Sequence, residues 1–178
     1  MNSEIIKAVV IDKETYLAYA NLRNAYGEIR KVIIGKANAN LRNIAQVLKL
    51  EILTEFSGRG EKEEGFFLTT PALRNRNLRF GIQCEGSDYQ KFFFGFTYIS
   101  DTELKSELKS KIELLFKEKF RRYDFSNHWP VWLWLAEPYT SWNDETMAAI
   151  LSGGFTQYMK QLIGSLSEIA IKATESDE

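Results

Sequence analysis

Side chains able to serve as acid, base, nucleophile or metal ligand are few in this sequence. The one histidine, His128, follows Asp124 by four residues and Ser126 by two, and the one cysteine is Cys84. Ser126 or Cys84 as nucleophile with His128 as base would suit acyl transfer, but such sets are defined by geometry and not by order in the chain. One cysteine and one histidine exclude an intrachain disulfide, a cysteine-based zinc site and a histidine-rich metal site. Glu103-Leu104-Lys105 and Glu107-Leu108-Lys109 both read E-x-K. Their carboxylates are the kind of side chain that can hold a divalent metal. Metal carboxylates must converge, however, and both copies fall on an amphipathic helical pattern, where they read as solvent-face charges supported at i,i+4. The sequence assigns no catalytic residue and no metal ligand. No cofactor is indicated either: Gly58-Arg59-Gly60 and Gly153-Gly154 lack the phosphate-loop lysine and the dinucleotide fingerprint.

Binding chemistry is better provided. Arg74 and Arg76, with Arg79 and Lys91, form one basic cluster; Lys117, Lys119, Arg121 and Arg122 form another. Either could neutralise phosphates or meet an acidic partner. Phe92, Phe93, Phe116, Phe120 and Tyr123 are interleaved with them and could offer stacking faces. The second cluster also suits a helix C-terminus on macrodipole grounds alone. All four tryptophans lie between Trp129 and Trp142. Trp129, Trp132, Trp134, Tyr139 and Trp142 could line an aromatic groove for a base, a sugar or a peptide, or could simply fill the core. Trp132 and Trp134 share one parity and Val131, Leu133 and Leu135 the other, so a strand here is apolar on both faces, which suits a central strand or one beneath a helix.

The elements that must position these residues follow from periodicity. Leu22, Ala25, Tyr26, Ile29, Val32 and Ile33 recur at helical spacing in a helix expected from Asp12 to near Gly35, and Leu41, Ile44, Ala45, Leu48 and Ile52 mark a second. Gly65 to Thr70 is a short strand. Leu78, Phe80, Ile82 and Cys84 alternate with Arg79, Gly81, Gln83 and Glu85, and Phe92, Phe94, Phe96 and Tyr98 with Phe93, Gly95 and Thr97. The short link Gly86 to Gln90 makes these two an antiparallel hairpin. Ser100-Asp101-Thr102-Glu103 fits a capping box before a helix carrying Leu104, Leu108, Ile112 and Leu115. Val131 to Leu135 is a further strand. Asn143 caps a helix ending at Gly153-Gly154, and Phe155 to Ala170 is the clearest amphipathic helix. The order predicts one α+β domain over 1–178, with an antiparallel sheet of three to four strands packed by helices. Residues 1–60 form its helical N-terminal part, an N-terminal helical pair, and 61–178 its sheet and C-terminal helices.

Lys+Arg and Asp+Glu number 23 and 24, giving a net charge of −1, so bulk charge does not argue for nucleic acid, and only local patches keep that contact open. No run of apolar residues is long enough to span a bilayer, and the start has no basic-then-apolar leader pattern; with one free cysteine, a cytoplasmic protein with no membrane contact is expected.

The passage from Trp129-Pro130 through Glu137-Pro138-Tyr139 and Ser141-Trp142-Asn143-Asp144-Glu145 to Ile150 and Gly153, closed by an amphipathic helix, resembles the C-terminal end of bacterial proteins of the PD-(D/E)XK nuclease superfamily. The part preceding it, Leu78–Ile99, resembles the module that comes before that passage in those chains. The likeness covers about residues 65–175. In those proteins the catalytic Asp and E-x-K precede the matching region, so no catalytic residue carries over. The resemblance implies a non-catalytic accessory module that contacts a nuclease domain, another protein or nucleic acid, and leaves open that the chain is a fragment of a longer protein. Two other readings stand beside it: an autonomous metal-dependent nuclease or hydrolase using Asp88, Glu103 or Lys105, and a small protein-binding regulator of bacterial or phage origin.

Overall fold

The computed structural model describes residues 12–100 and 106–175. The first element of the described residues is the helix α1 (Lys13–Val47), with the Asp12 carboxylate accepting the Thr15 N–H at 2.8 Å as its cap. The strands are β1 (Glu51–Thr54), β2 (Gly65–Thr69), β3 (Leu78–Gly86), β4 (Gln90–Tyr98) and β5 (Val131–Trp134), with α2 (Pro71–Arg74) between β2 and β3 and α3 (Ser106–Phe120) between β4 and β5. Helices α4 (Asp144–Ser152) and α5 (Gly154–Thr174) complete the order, joined at Gly153, whose φ of 92° suits glycine. The fold is α+β, as the sequence predicts, and all strand pairings are antiparallel.

Two expectations need correction. The N-terminal helical pair is one continuous 35-residue helix. Gly35 does not stop it, because Ile34, Ala37, Asn38, Leu41, Ile44 and Ala45 continue a buried face that offsets the ~1 kcal/mol a mid-helix glycine costs. Ile52 lies outside that helix, in β1, so the sheet has five strands and the first falls within 1–60. The capping box at Ser100–Glu103 and the first E-x-K lie partly or wholly outside the described residues.

The strands follow one another as a meander, β1-β2-β3-β4-β5. Register separates two faces. Phe66, Ile82, Phe94 and Leu133 pair in one row and Leu68, Phe80, Phe96 and Val131 in the next. This face enters the core with Leu41 of α1, Ile112 and Phe116 of α3, and Phe155, Met159, Ile163 and Leu166 of α5. The other face carries the row Phe67, Gly81, Gly95, Trp132, flanked by Arg79 beside Thr97 and by Gln83, Phe93 and Trp134. Phe67 and Trp129 are buried there, apart from that core. The hairpin turn puts Asp88 and Tyr89 at φ of 56° and 57°, an unusual conformation for side chains of this size. Burial of the Tyr89 ring against Trp142, and its hydroxyl donating to Glu64 at 2.9 Å, hold it there. Arg30 bonds both the side chain and the backbone carbonyl of Asp88 and lies 5.1 Å over the Tyr89 ring, which pins α1 to this turn. No helix of the described residues is long and apolar enough to cross a membrane.

Candidate functional site: an aromatic groove on the open sheet face

The face of the sheet opposite the core holds a groove of about 440 Å³. Arg79 and Gln83 of β3 and Phe93 and Thr97 of β4 line it, with Trp129, Trp132 and Trp134. Gly81 and Gly95, opposite each other on the same face, are buried, and the Trp129 ring nearby meets Phe67 of β2 at 5.9 Å. Phe93 is the hub of the aromatic lining: its ring meets Trp129 at 4.7 Å, Trp132 at 5.4 Å and Trp134 at 5.8 Å, all edge-on, the favoured geometry for aromatic pairs. Trp134 is 43% exposed, whereas Trp129 is nearly covered.

Polar groups reach the groove from several elements. Arg79 lies 4.0 Å over the Phe67 ring. Burial lowers its pKa from the usual arginine value, and its buried Nε has no hydrogen-bond partner. A guanidinium stacked on a ring in this way presents its charge at the groove, where a carboxylate or carbonyl oxygen could meet its terminal nitrogens. Gln83, Glu63, Glu85, Ser126 and His128 complete much of the rim.

The proposed nucleophile–base sets do not assemble. Ser126 Oγ accepts the Trp129 N–H at 3.1 Å, and the carbonyl of His128 accepts the Thr97 hydroxyl at 2.7 Å, which fixes the loop and leaves the imidazole without a bond to Ser126 or Cys84 among the described residues. Cys84 belongs to the core; burial pushes its thiol up to about 11, so it is protonated at neutral pH. Among the described residues no three His, Cys, Asp or Glu side chains gather as a metal site. Asp88 is engaged by Arg30. Glu103 and Lys105 lie outside the described residues.

The groove candidates divide. Trp129, Trp132 and Trp134 line it. Trp142 is in the core, stacked 4.8 Å from Phe92 and 5.3 Å from Tyr89, and Tyr139 stacks 4.5 Å from Tyr158 on α5. β5 is an edge strand, not a central one; the backbone bridge between Asp124 and Trp132 occupies part of its outer side. The basic clusters stand at opposite edges. Arg74 pairs with Glu51 of β1 at 2.7 Å, and Arg76 is exposed beside it. Lys119 pairs with Glu168 at 2.9 Å, while Lys117, Arg121 and Arg122 are exposed near where Phe120 packs on Phe94 of β4, the neighbour of β5. Phe92 and Phe116 are fully buried and offer no stacking face. The sequence puts Arg79 in a basic cluster and Phe93 among the stacking aromatics without joining either to the tryptophans, although the alternation places Arg79, Gly81 and Gln83 on one face of β3 and Phe93, Gly95 and Thr97 on one face of β4.

No family model, curated protein or solved structure matches this chain.

Proposed function

We propose that this chain is a non-catalytic binding module that seats a segment of a protein partner in the open-face groove. The cluster of Phe93, Trp129, Trp132 and Trp134 lining one cavity beside Arg79 carries the reading. An aromatic cavity of this kind admits a flat or apolar side chain, and the tryptophans and Arg79 that line it are the residue types that dominate protein-interface energetics. Charge favours a protein segment over nucleic acid. Glu63 and Glu85 share the rim with Arg79, and the other arginine and lysine clusters lie at separate edges, so no continuous cationic track follows the groove. The resemblance of 65–175 to the C-terminal end of PD-(D/E)XK superfamily proteins supports a nuclease core domain as that partner and an accessory role for the chain.

The test is selection from a displayed random peptide library, followed by titration of the selected peptides and of a mixed-sequence single-stranded oligonucleotide. Peptide binding that falls at least tenfold in Trp134→Ala and Arg79→Ala supports the reading. Binding indifferent to both substitutions removes the groove from consideration, and steeply salt-dependent oligonucleotide binding in its place would move the assignment to nucleic acid.

A further inference from the structure

Residues 13–29 of α1 reach beyond the other described residues. All are exposed except Ala20, which is half-buried, and the helix meets the sheet only from Arg30 onward. At 1.5 Å per residue, that is an arm of about 25 Å. Such a segment should be polar all round, and this one is not. Tyr19, Leu22, Tyr26, Ile29 and Ile33 alternate in steps of three and four, the seam of a two-helix coiled coil. The first four are 44%, 65%, 51% and 45% exposed. Ala18, Ala25 and Val32 flank the seam on one side and leave room for a close neighbour.

We infer that this arm pairs, antiparallel, with the same arm of a second copy of this chain. The direction follows from how the seam continues. Beyond Arg30 the same side of α1 becomes the buried side: Ile33 packs on the core, then Ala37, Leu41 and Ile44 enter it. A parallel second helix laid on the seam would run into the hairpin turn at Asp88 and Tyr89, where Arg30 is bound, and would bring its own sheet to the same place. An antiparallel copy avoids both. The two arms overlap, with Tyr19 opposite the other copy's Ile29 and Leu22 opposite its Tyr26, and the sheets stand at opposite ends. Five large side chains about half exposed, with Val32 included, offer roughly 500 Å² per copy, so the pair reaches the ~1,000 Å² at which specific interfaces begin.

Sedimentation equilibrium of the intact chain is expected to give twice the monomer mass, and Leu22→Asp with Ile29→Asp to return it to the monomer with an unchanged circular dichroism spectrum. Leu17→Asp, on the opposite face, is expected to leave the dimer intact. Oxidising a mixture of Leu22→Cys and Tyr26→Cys chains is expected to yield the mixed cross-linked species in preference to either like pair. A monomer at every soluble concentration overturns the inference, as does a dimer that survives the two aspartates, equal dissociation by Leu17→Asp, or like-with-like cross-links alone.

Discussion

Gly81 of β3 and Gly95 of β4 stand opposite each other, and neither has room for a methyl group. A Cβ on Gly81 would sit 2.1 Å from the Phe66 carbonyl oxygen, and one on Gly95 2.1 Å from that of Val131. Glycine stands at both positions because the strands pack too closely there for anything larger.

Gly95→Ala is expected to cost at least 2–3 kcal/mol, on the order of the worst overpacking, because the atoms it meets are backbone and cannot rotate away. Urea denaturation at constant slope measures it. A midpoint equal to that of the unaltered protein would mean the strands separate at no cost.

The tryptophans should divide by location. Trp142→Ala removes a ring from a cluster of Phe56, Tyr89, Phe92 and Phe155 and is expected to lose about 3–5 kcal/mol. Trp134→Ala, on the exposed side of β5, is expected to lose about 1 kcal/mol or less. Equal losses would contradict the placement of the two rings.

Acid should weaken the loop before β2. Burial alone would raise the pKa of Glu64, but the N–H of Glu61, the Ser57 hydroxyl, the Tyr89 hydroxyl and the Ser57 N–H all donate to its carboxylate and hold it below its ordinary 4.5. The folded protein thus binds this proton less readily than the unfolded chain. The contribution is complete above the unfolded pKa and is lost as pH falls through the folded one. Glu64→Gln is expected to flatten the decline in stability below about pH 4.5, read from denaturation midpoints across the acid range. An unchanged pH profile would show that the network is not formed in solution.

Cys84 is buried and its thiol is held protonated. Iodoacetamide at neutral pH is expected to leave it unlabelled in the folded protein and to label it promptly in urea, as mass spectrometry would record. Prompt labelling without denaturant would place it at the surface.

Much of the architecture could be read from the sequence because burial imposes period. Leu78 to Cys84 and Phe92 to Tyr98 alternate strictly, and the short link between them permits only a hairpin. β1 was missed because Glu51–Thr54 is four residues long and continues, through Ile52, the helical spacing of the segment before it. The apolar stripe on α1 was legible as a stripe, but period alone does not say what covers it, and over Tyr19 to Ile29 nothing among the described residues does. The groove was legible only in half. The tryptophans stand out by residue type, whereas the placing of Gln83, Phe93 and Trp134 side by side depends on a cross-strand register that local pattern does not contain.

The meander has a consequence for the order of assembly. Each strand can pair with the one synthesised just before it, so the sheet can form by successive short loop closures. α1 is different. Lys36 donates to the Leu151 carbonyl and Asn40 to the Thr156 hydroxyl, 115 and 116 residues later in the chain. At ribosomal speeds of about 5–20 residues per second, the inner half of α1 waits roughly 6–23 s for the helices that cover it. A helix made early is therefore among the last to dock, and a nascent chain stalled before Leu151 would present an apolar helix to chaperones beside a sheet already able to form.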